Sequence, residues 1–168
     1  AQAHRAGSAL IFGAGPIGLL MAIGLQVSGL TNISLVDLDR TRLSLAESFG
    51  FKAIEAHSDE LNSLRQNVDL VADATGVPAV ATKLIDYIAN GGVGLFFGVC
   101  PSEARIEISP FELFRRQITL AGSHSLNHNI PEAVEGLKAY GTDIGRLVSH
   151  RLSLAEINQV FEGQGPKE

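Results

Sequence analysis

The chain has 168 residues, enough for one domain, and its 45% hydrophobic and 18% charged residues suit a sheet buried on both faces. Its net charge of −5 leaves no basic stripe to meet phosphates, so nucleic acid is not an expected partner. The single cysteine, Cys100, excludes an intramolecular disulfide and a multi-cysteine zinc site. Residues 1–8 read as a linker or a cut end, 9–163 as the domain and 164–168 as a tail. The apolar run Ala9-Leu-Ile-Phe12 reads as a buried strand. Gly13, Gly15 and Gly18 follow, and a helical pattern runs from Pro16 to about Ser28, closed by Gly29. This is G-x-G-x-x-G between a strand and a helix, the context that gives the motif meaning.

Each glycine has its own task. Gly13 turns the chain off the strand, Gly15 lets a pyrophosphate approach the backbone, and Gly18 lets the helix pack close to the sheet. Pro16 stands where a missing N–H costs nothing. The first-turn N–H groups point outward, and the helix end carries roughly +0.5 of a charge, which favours an anion. A second strand, Ile33–Val36, ends at Asp37, 19 positions after Gly18. A dinucleotide site needs a carboxylate there to meet ribose hydroxyls. It would repel a 2′-phosphate by roughly 1–4 kcal/mol at about 4 Å near a surface, so NAD is expected over NADP.

Further along, Thr41 to Phe49 reads as a helix with Leu43, Ala46 and Phe49 on one face. Lys52–Ile54 reads as a weak third strand, and Ser58 to Asn67 as room for a short helix with Leu61 and Leu64 inward. Val68–Ala72 is the fourth strand, followed by Asp73-Ala-Thr-Gly76. A fourth helix is expected from Pro78 to about Asn90, on Val80, Leu84, Tyr87 and Ile88, with Gly91-Gly92 breaking it. The fifth strand is Val93–Phe97, leading into Gly98-Val99-Cys100-Pro101. Ala104-Arg-Ile-Glu-Ile108 alternates with period two, as a half-exposed edge strand does. A helical turn from Pro110 to Arg116, a sixth strand Ile118–Ala121 and a helix Pro131–Tyr140 with Val134 and Leu137 inward come next. Leu147-Val148 and Leu152–Leu154 read as short extended pieces, and Ala155–Phe161 as a closing helix. Six strands alternating with helices predict an α/β fold of right-handed crossovers: a doubly wound, six-stranded parallel sheet in the order 3-2-1-4-5-6. Helices would cover both faces, and a ligand would lie across the carboxyl ends.

Five stretches then carry a family likeness: Phe12-Gly-Ala-Gly-Pro-Ile-Gly-Leu-Leu20, Val36-Asp-Leu-Asp-Arg-Thr-Arg-Leu43, Asp73-Ala-Thr-Gly-Val-Pro78, Gly91-Gly-Val-Gly-Leu-Phe-Phe-Gly-Val99, and Leu147-Val-Ser-His-Arg-Leu-Ser-Leu-Ala-Glu-Ile-Asn-Gln-Val-Phe161. With these the chain resembles the coenzyme-binding Rossmann domain of the zinc-type, medium-chain alcohol and polyol dehydrogenases. The resemblance implies that Gly13, Gly15, Pro16, Ile17 and Gly18 hold the pyrophosphate and that Asp37 takes the ribose hydroxyls. Arg42 would cover the adenine side, where its other reading is a solvated helix-face charge. Thr75 and Gly76 would sit beside the adenine-side ribose or the adenine. Gly98 and Val99 would offer backbone groups to the nicotinamide carboxamide, and the turn at Ser123 and His124 would approach from the other side. Ser123-His124-Ser125 departs from the aromatic and arginine residues that some polyol dehydrogenases place there.

The resemblance also implies a catalytic zinc, a Lewis acid that polarises the alcohol or carbonyl oxygen, held mainly by a separate domain. That domain normally precedes this one, so the expectation is an excised domain or an incomplete gene product holding the hydride carrier but not the catalytic centre. A metal site within the chain is not expected: His124 and His128 are four apart but lack the Glu of the H-E-x-x-H pattern and lie in a loop. His57 and His150 read as ordinary surface or loop residues, and Cys100 as a small hydrophobe rather than a nucleophile. Family members join two coenzyme domains through the strand corresponding to 104–108, so a homodimer is expected there. No apolar run is long enough for a membrane span and no signal peptide is visible, so cytoplasm is the expected compartment. Two other functions fit the same fingerprint: a stand-alone NAD(H)-sensing regulatory domain, and an NADP-preferring zinc-independent reductase of the same superfamily.

Overall fold

The computed structural model describes residues 6–124 and 128–163, with backbone alone at 142 and 143. The expected tail, residues 164–168, most of the expected linker and Ser125 lie outside the described residues. Six strands form one sheet in the order β3-β2-β1-β4-β5-β6, every pairing parallel. They are β1 (Ala9–Phe12), β2 (Ile33–Asp37), β3 (Lys52–Glu55), β4 (Val68–Asp73), β5 (Ile88–Phe96) and β6 (Thr119–Gly122). The helices are α1 (Pro16–Val27), α2 (Arg40–Ser48), α3 (Asp59–Ser63), α4 (Pro78–Lys83), α5 (Pro110–Arg116), α6 (Ile130–Tyr140) and α7 (Ile157–Phe161). Among the described residues, no helix is long and apolar enough to cross a membrane.

The central strands are continuous apolar runs because both sheet faces are covered. All of β1 is buried, and its alternate residues enter two different cores. Ala9 and Ile11 pack with Leu19, Ala22 and Ile23 of α1 and Leu43 and Ala46 of α2. Leu10 and Phe12 pack on the opposite face with Leu61, Ala81, Leu84 and Tyr87. The helices start where capping chemistry allows. Asp39 caps α2, its Oδ1 accepting from Thr41 N–H at 2.7 Å and Arg42 N–H at 3.4 Å. Ser58 caps α3, accepting from Leu61 N–H at 3.1 Å. Pro16, Pro78 and Pro110 stand at the first positions of α1, α4 and α5.

Four expectations are corrected. The fourth helix does not reach Asn90: α4 ends at Lys83, a 3-10 turn spans Leu84–Asp86, and Ile88–Asn90 already belong to β5. Ile88 pairs with Val68, whereas Val93 pairs with Leu70, so Gly91-Gly92 form a bulge inside the strand instead of stopping a helix. Gly91 takes a left-handed φ of +77°, open to glycine.

Residues 104–108 form no strand. Their alternation survives as half-buried Ala104, Ile106 and Ile108 against exposed Arg105 and Glu107, but β6 already pairs with the edge of β5, and 104–108 joins no ladder. Val134 and Leu137 are not buried; they remain 43% and 37% exposed. Leu137 lines a groove between α6 and α1, opposite Leu20, Ile23 and Val27. The extended pieces at 147–148 and 152–154 form no strand either. Leu147 ends a 3-10 helix, Thr142–Leu147, and Val148, Leu152 and Leu154 stay exposed because no neighbouring strand pairs with them.

One feature of the core has no counterpart in the apolar pattern. Arg116, at the end of α5, is buried and donates from Nη1 to the Ile85 carbonyl at 3.2 Å and from Nη2 to the Ile88 carbonyl. It ties α5 to the start of β5. Glu112 lies 3.7 Å from its Nη1 and pairs more closely with Arg115, at 2.9 Å.

Candidate dinucleotide site

Every residue expected at the site that the structure describes lies at the carboxyl end of the sheet or in the turns and helix starts that follow its strands. This edge is where an open α/β sheet binds ligands, and the order reverses between β1 and β4. The glycine turn is built by close approach. Gly13 leaves β1 with φ +102°, and its N–H donates to the Val36 carbonyl at 2.7 Å. A Cβ on Gly18 would lie 1.8 Å from the Gly13 carbonyl oxygen, so no side chain fits there. Gly15 differs: the nearest atom to a Cβ there would be Arg42 Nη1 at 3.9 Å. The space over Gly15 is open to a ligand and bordered by a guanidinium.

Gly15 is also the N-cap of α1 and provides no capping side chain. The first-turn N–H groups at Ile17 and Gly18 face that opening with the positive end of the helix behind them. Ile17 is half exposed beside them. These features fit a diphosphate: bare backbone, outward N–H groups and a guanidinium close by.

Asp37 ends β2 and is held in place. Its Oδ2 accepts from Ala14 N–H at 2.8 Å, and its Oδ1 accepts from Leu38 N–H at 2.7 Å and Asp39 N–H at 3.0 Å. The carboxylate thus fixes the glycine turn as well as facing the ligand edge. A carboxylate has about four lone-pair positions, so one remains for a ribose hydroxyl beyond these three bonds. Next to it, the N–H groups of Thr41 and Arg42 hold the Asp39 carboxyl below its ordinary value of 3.8. Arg42 adds a smaller attraction in the same direction.

At the other half of the edge, Thr75 and Gly76 follow β4, while Gly98 and Val99 follow β5. The two turns touch. A Cβ on Gly98 would meet the Gly76 nitrogen at 2.1 Å, and one on Gly76 would meet the Val99 carbonyl oxygen at 2.5 Å. Val99 is 90% exposed on this rim. After β6, Ser123 N–H donates to the Phe96 carbonyl at 3.2 Å, which keeps that turn beside β5, and His124 is exposed. Residues 125–127 lie outside the described residues, so the spacing of His124 and His128 has no structural counterpart here. Among the described residues no group of three or more His, Cys, Asp or Glu could hold a metal ion.

The structure adds residues that the sequence pattern did not single out. A cleft of about 540 Å³ opens beside the glycine turn, walled by Gly15, Pro16 and Arg42 on one side and Arg146, Ser149 and His150 on the other. Arg146 reaches this wall across 98 positions of sequence. Its guanidinium lies 4.6 Å from the centre of the Phe49 ring and donates to the Ser48 carbonyl at 3.2 Å, satisfying the end of α2. No local signal marks such a residue. His150 Nδ1 lies 3.0 Å from Ser149 Oγ. Asp73, at the end of β4, is completely buried. The apolar run before it was the one available clue.

Comparison with known proteins accords with this geometry. Residues 1–167 match the family model described as glucose dehydrogenase C-terminus. D-altritol 5-dehydrogenase of Agrobacterium fabrum is 48% identical over 154 residues, covering 92% of this chain and 46% of that protein. Alcohol dehydrogenase of Thermus sp. ATN1 superposes with a TM-score of 0.81 at 29% identity, covering 95% of this chain and 48% of that one. A Sinorhizobium meliloti protein assigned to the zinc-binding dehydrogenases, solved with NADP bound, superposes with a TM-score of 0.87 at 25% identity over 96% of this chain and 49% of that one. The chain spans about half the length of these relatives. It belongs to the glucose dehydrogenase C-terminus family, and the relatives it matches are polyol and alcohol dehydrogenases.

Proposed function

We propose that this chain is the NAD(H)-binding part of a zinc-dependent dehydrogenase acting on a polyol or a related alcohol. The observation that carries the proposal is the pairing of an open, uncapped α1 start at Gly15 with the anchored Asp37 carboxylate. Bound nicotinamide supplies the hydride acceptor or donor. The residues of the chain supply position. Gly13, Gly15, Pro16, Ile17 and Gly18 seat the diphosphate, Asp37 the adenosine ribose, and Arg42 flanks both. Thr75 and Gly76 sit beside the adenine-side ribose or the adenine. Gly98, Val99, Ser123 and His124 border the nicotinamide. D-altritol 5-dehydrogenase is the relative that favours a polyol as the substrate class. Zinc would be held mainly by a separate domain, as the resemblance to the zinc-type dehydrogenases implies. The compartment proposed is the cytoplasm.

The preference for NAD over NADP rests on the negative charge of Asp37. The Sinorhizobium relative, solved with NADP, makes the opposite preference the competing reading. Titration with NADH and NADPH decides between them. NADH fluorescence is read easily, because the chain has no Trp. Asp37 is expected to favour NADH at least about tenfold, the equivalent of roughly 1.4 kcal/mol. Equal affinities would remove the proposed preference.

We also propose a homodimer through residues 104–108. Their alternating half-burial is the pattern of an edge strand, and such an edge invites a partner. Proline at Ile106 removes a ladder donor. Ile106→Pro is expected to sediment as a monomer where the parent chain sediments as a dimer; a dimer in both would rule the segment out as the contact.

A further inference from the structure

Asp73 faces no open space at the site, yet it touches two of the site's turns. It is the last residue of β4 and is 0% exposed. Its Oδ1 accepts two bonds from Thr75, from N–H at 2.8 Å and from Oγ1–H at 2.6 Å. The Thr75 hydroxyl oxygen in turn accepts from Val77 N–H at 3.1 Å, so the turn after β4 is wound around this carboxylate. The backbone carbonyl of Asp73 accepts from Phe97 N–H at 3.1 Å and Gly98 N–H at 2.7 Å, which fixes the turn after β5 to the same residue. Asp73 Oδ2 is buried with no hydrogen-bond partner among the described residues, and it would lie 3.0 Å from a Cβ on Gly98.

A buried carboxylate with one bare oxygen is a poor stabiliser, because its desolvation is only half compensated. What it provides is geometry. The turns it joins sit on β4 and β5, across the β1/β4 switch point from Asp37. In a doubly wound sheet the two halves serve the two mononucleotides, so Gly98 and Val99, beyond β5, stand at the half of the cofactor that Asp37 does not face, with the Thr75–Gly76 turn packed behind them. We infer that Asp73 is a positioning residue for the nicotinamide half of the cofactor: it sets the spacing between the Thr75–Gly76 and Gly98–Val99 turns and so places the backbone groups of Gly98 and Val99. The inference rests on the dinucleotide role proposed above, and it assigns to Asp73 no contact with the cofactor.

The test compares NADH, which has the nicotinamide half, with ADP-ribose, which lacks the nicotinamide ring. Asp73→Ala is expected to weaken NADH about tenfold and ADP-ribose no more than about twofold, as the loss of charge-assisted bonds behind one half of the site implies. Asp73→Asn keeps an oxygen for Thr75 and is expected to restore NADH affinity to within about threefold of the parent chain. If Asp73→Ala does not fold, Gly98→Ala carries the same comparison. Its Cβ would meet the Gly76 nitrogen at 2.1 Å and force the two turns apart directly. The same selective loss of NADH is expected. Unchanged NADH affinity, equal weakening of both ligands, or an Asp73→Asn variant no better than Asp73→Ala would overturn the assignment. A parent chain that binds neither ligand would overturn the dinucleotide proposal itself.

Discussion

Alanine in place of Gly18 is expected to abolish dinucleotide binding and to destabilise the chain by about 3 kcal/mol, the upper range for forcing an extra methyl into a packed site. The cause is local and severe. The new Cβ would sit 1.8 Å from the Gly13 carbonyl oxygen and 3.0 Å from its carbon, both backbone atoms that no rotamer change can move aside. Either α1 slides away from the turn or the turn leaves β1, and both movements disperse the N–H groups that face the cleft. A second glycine on the same helix provides the control. A Cβ on Gly24 would meet nothing within 4 Å. Alanine there removes backbone freedom from the unfolded chain and is expected to stabilise by about 0.5–1 kcal/mol. Urea denaturation of the two variants, with NADH titration of each, checks both signs. A Gly18→Ala chain as stable as the parent would mean that the turn is not packed as described.

Removing the Asp37 carboxylate is expected to have the next largest effect, for two separable reasons. Asp37→Ala strips the acceptor from Ala14 N–H as well as from the ribose, so the glycine turn loses its tie to β2. Hydrogen bonds to a charged group contribute about 1.5–3 kcal/mol, so NADH affinity should fall roughly 10- to 100-fold. The preference over NADPH should narrow as well, because the charge that repels a 2′-phosphate is gone. Asp37→Asn lessens the first effect: its amide oxygen can still accept from Ala14, while the charge is removed and the Leu38 and Asp39 N–H groups lose their acceptor. NADPH should then gain on NADH with little loss of overall affinity. Should Asp37→Asn keep the preference of the parent chain, the charge would not be its origin.

The sheet order was legible because each buried strand is a short apolar run with a glycine or proline boundary. The parallel crossover rule then leaves few topologies, and the family pattern at Gly13–Gly18 selects among them. The same logic located Asp37 and the turns at 75–76 and 98–99. It failed where chain partners decide the outcome. Ile88 to Asn90 carry a helical face in sequence, yet pairing with β4 draws them into β5, and Gly91-Gly92 absorb the mismatch as a bulge. Residues 104–108 alternate as a strand does, but a strand needs a neighbour, and the sheet provides none. Arg116 was legible only as the end of a short helical turn. Its burial follows from the carbonyls of Ile85 and Ile88, distant in sequence, to which it donates. Arg146 escaped for the same reason, since what it holds lies 98 positions away; Asp73 joins a near neighbour, Thr75, to the distant turn at 97–98, and that second tie left no trace in the local pattern.

A crystal structure with NAD bound tests the site most directly. The diphosphate should rest on the N–H groups at Gly15, Ile17 and Gly18, with the adenosine ribose within hydrogen-bond distance of Asp37. Density that put the diphosphate away from the start of α1, or the ribose away from Asp37, would contradict the site as described.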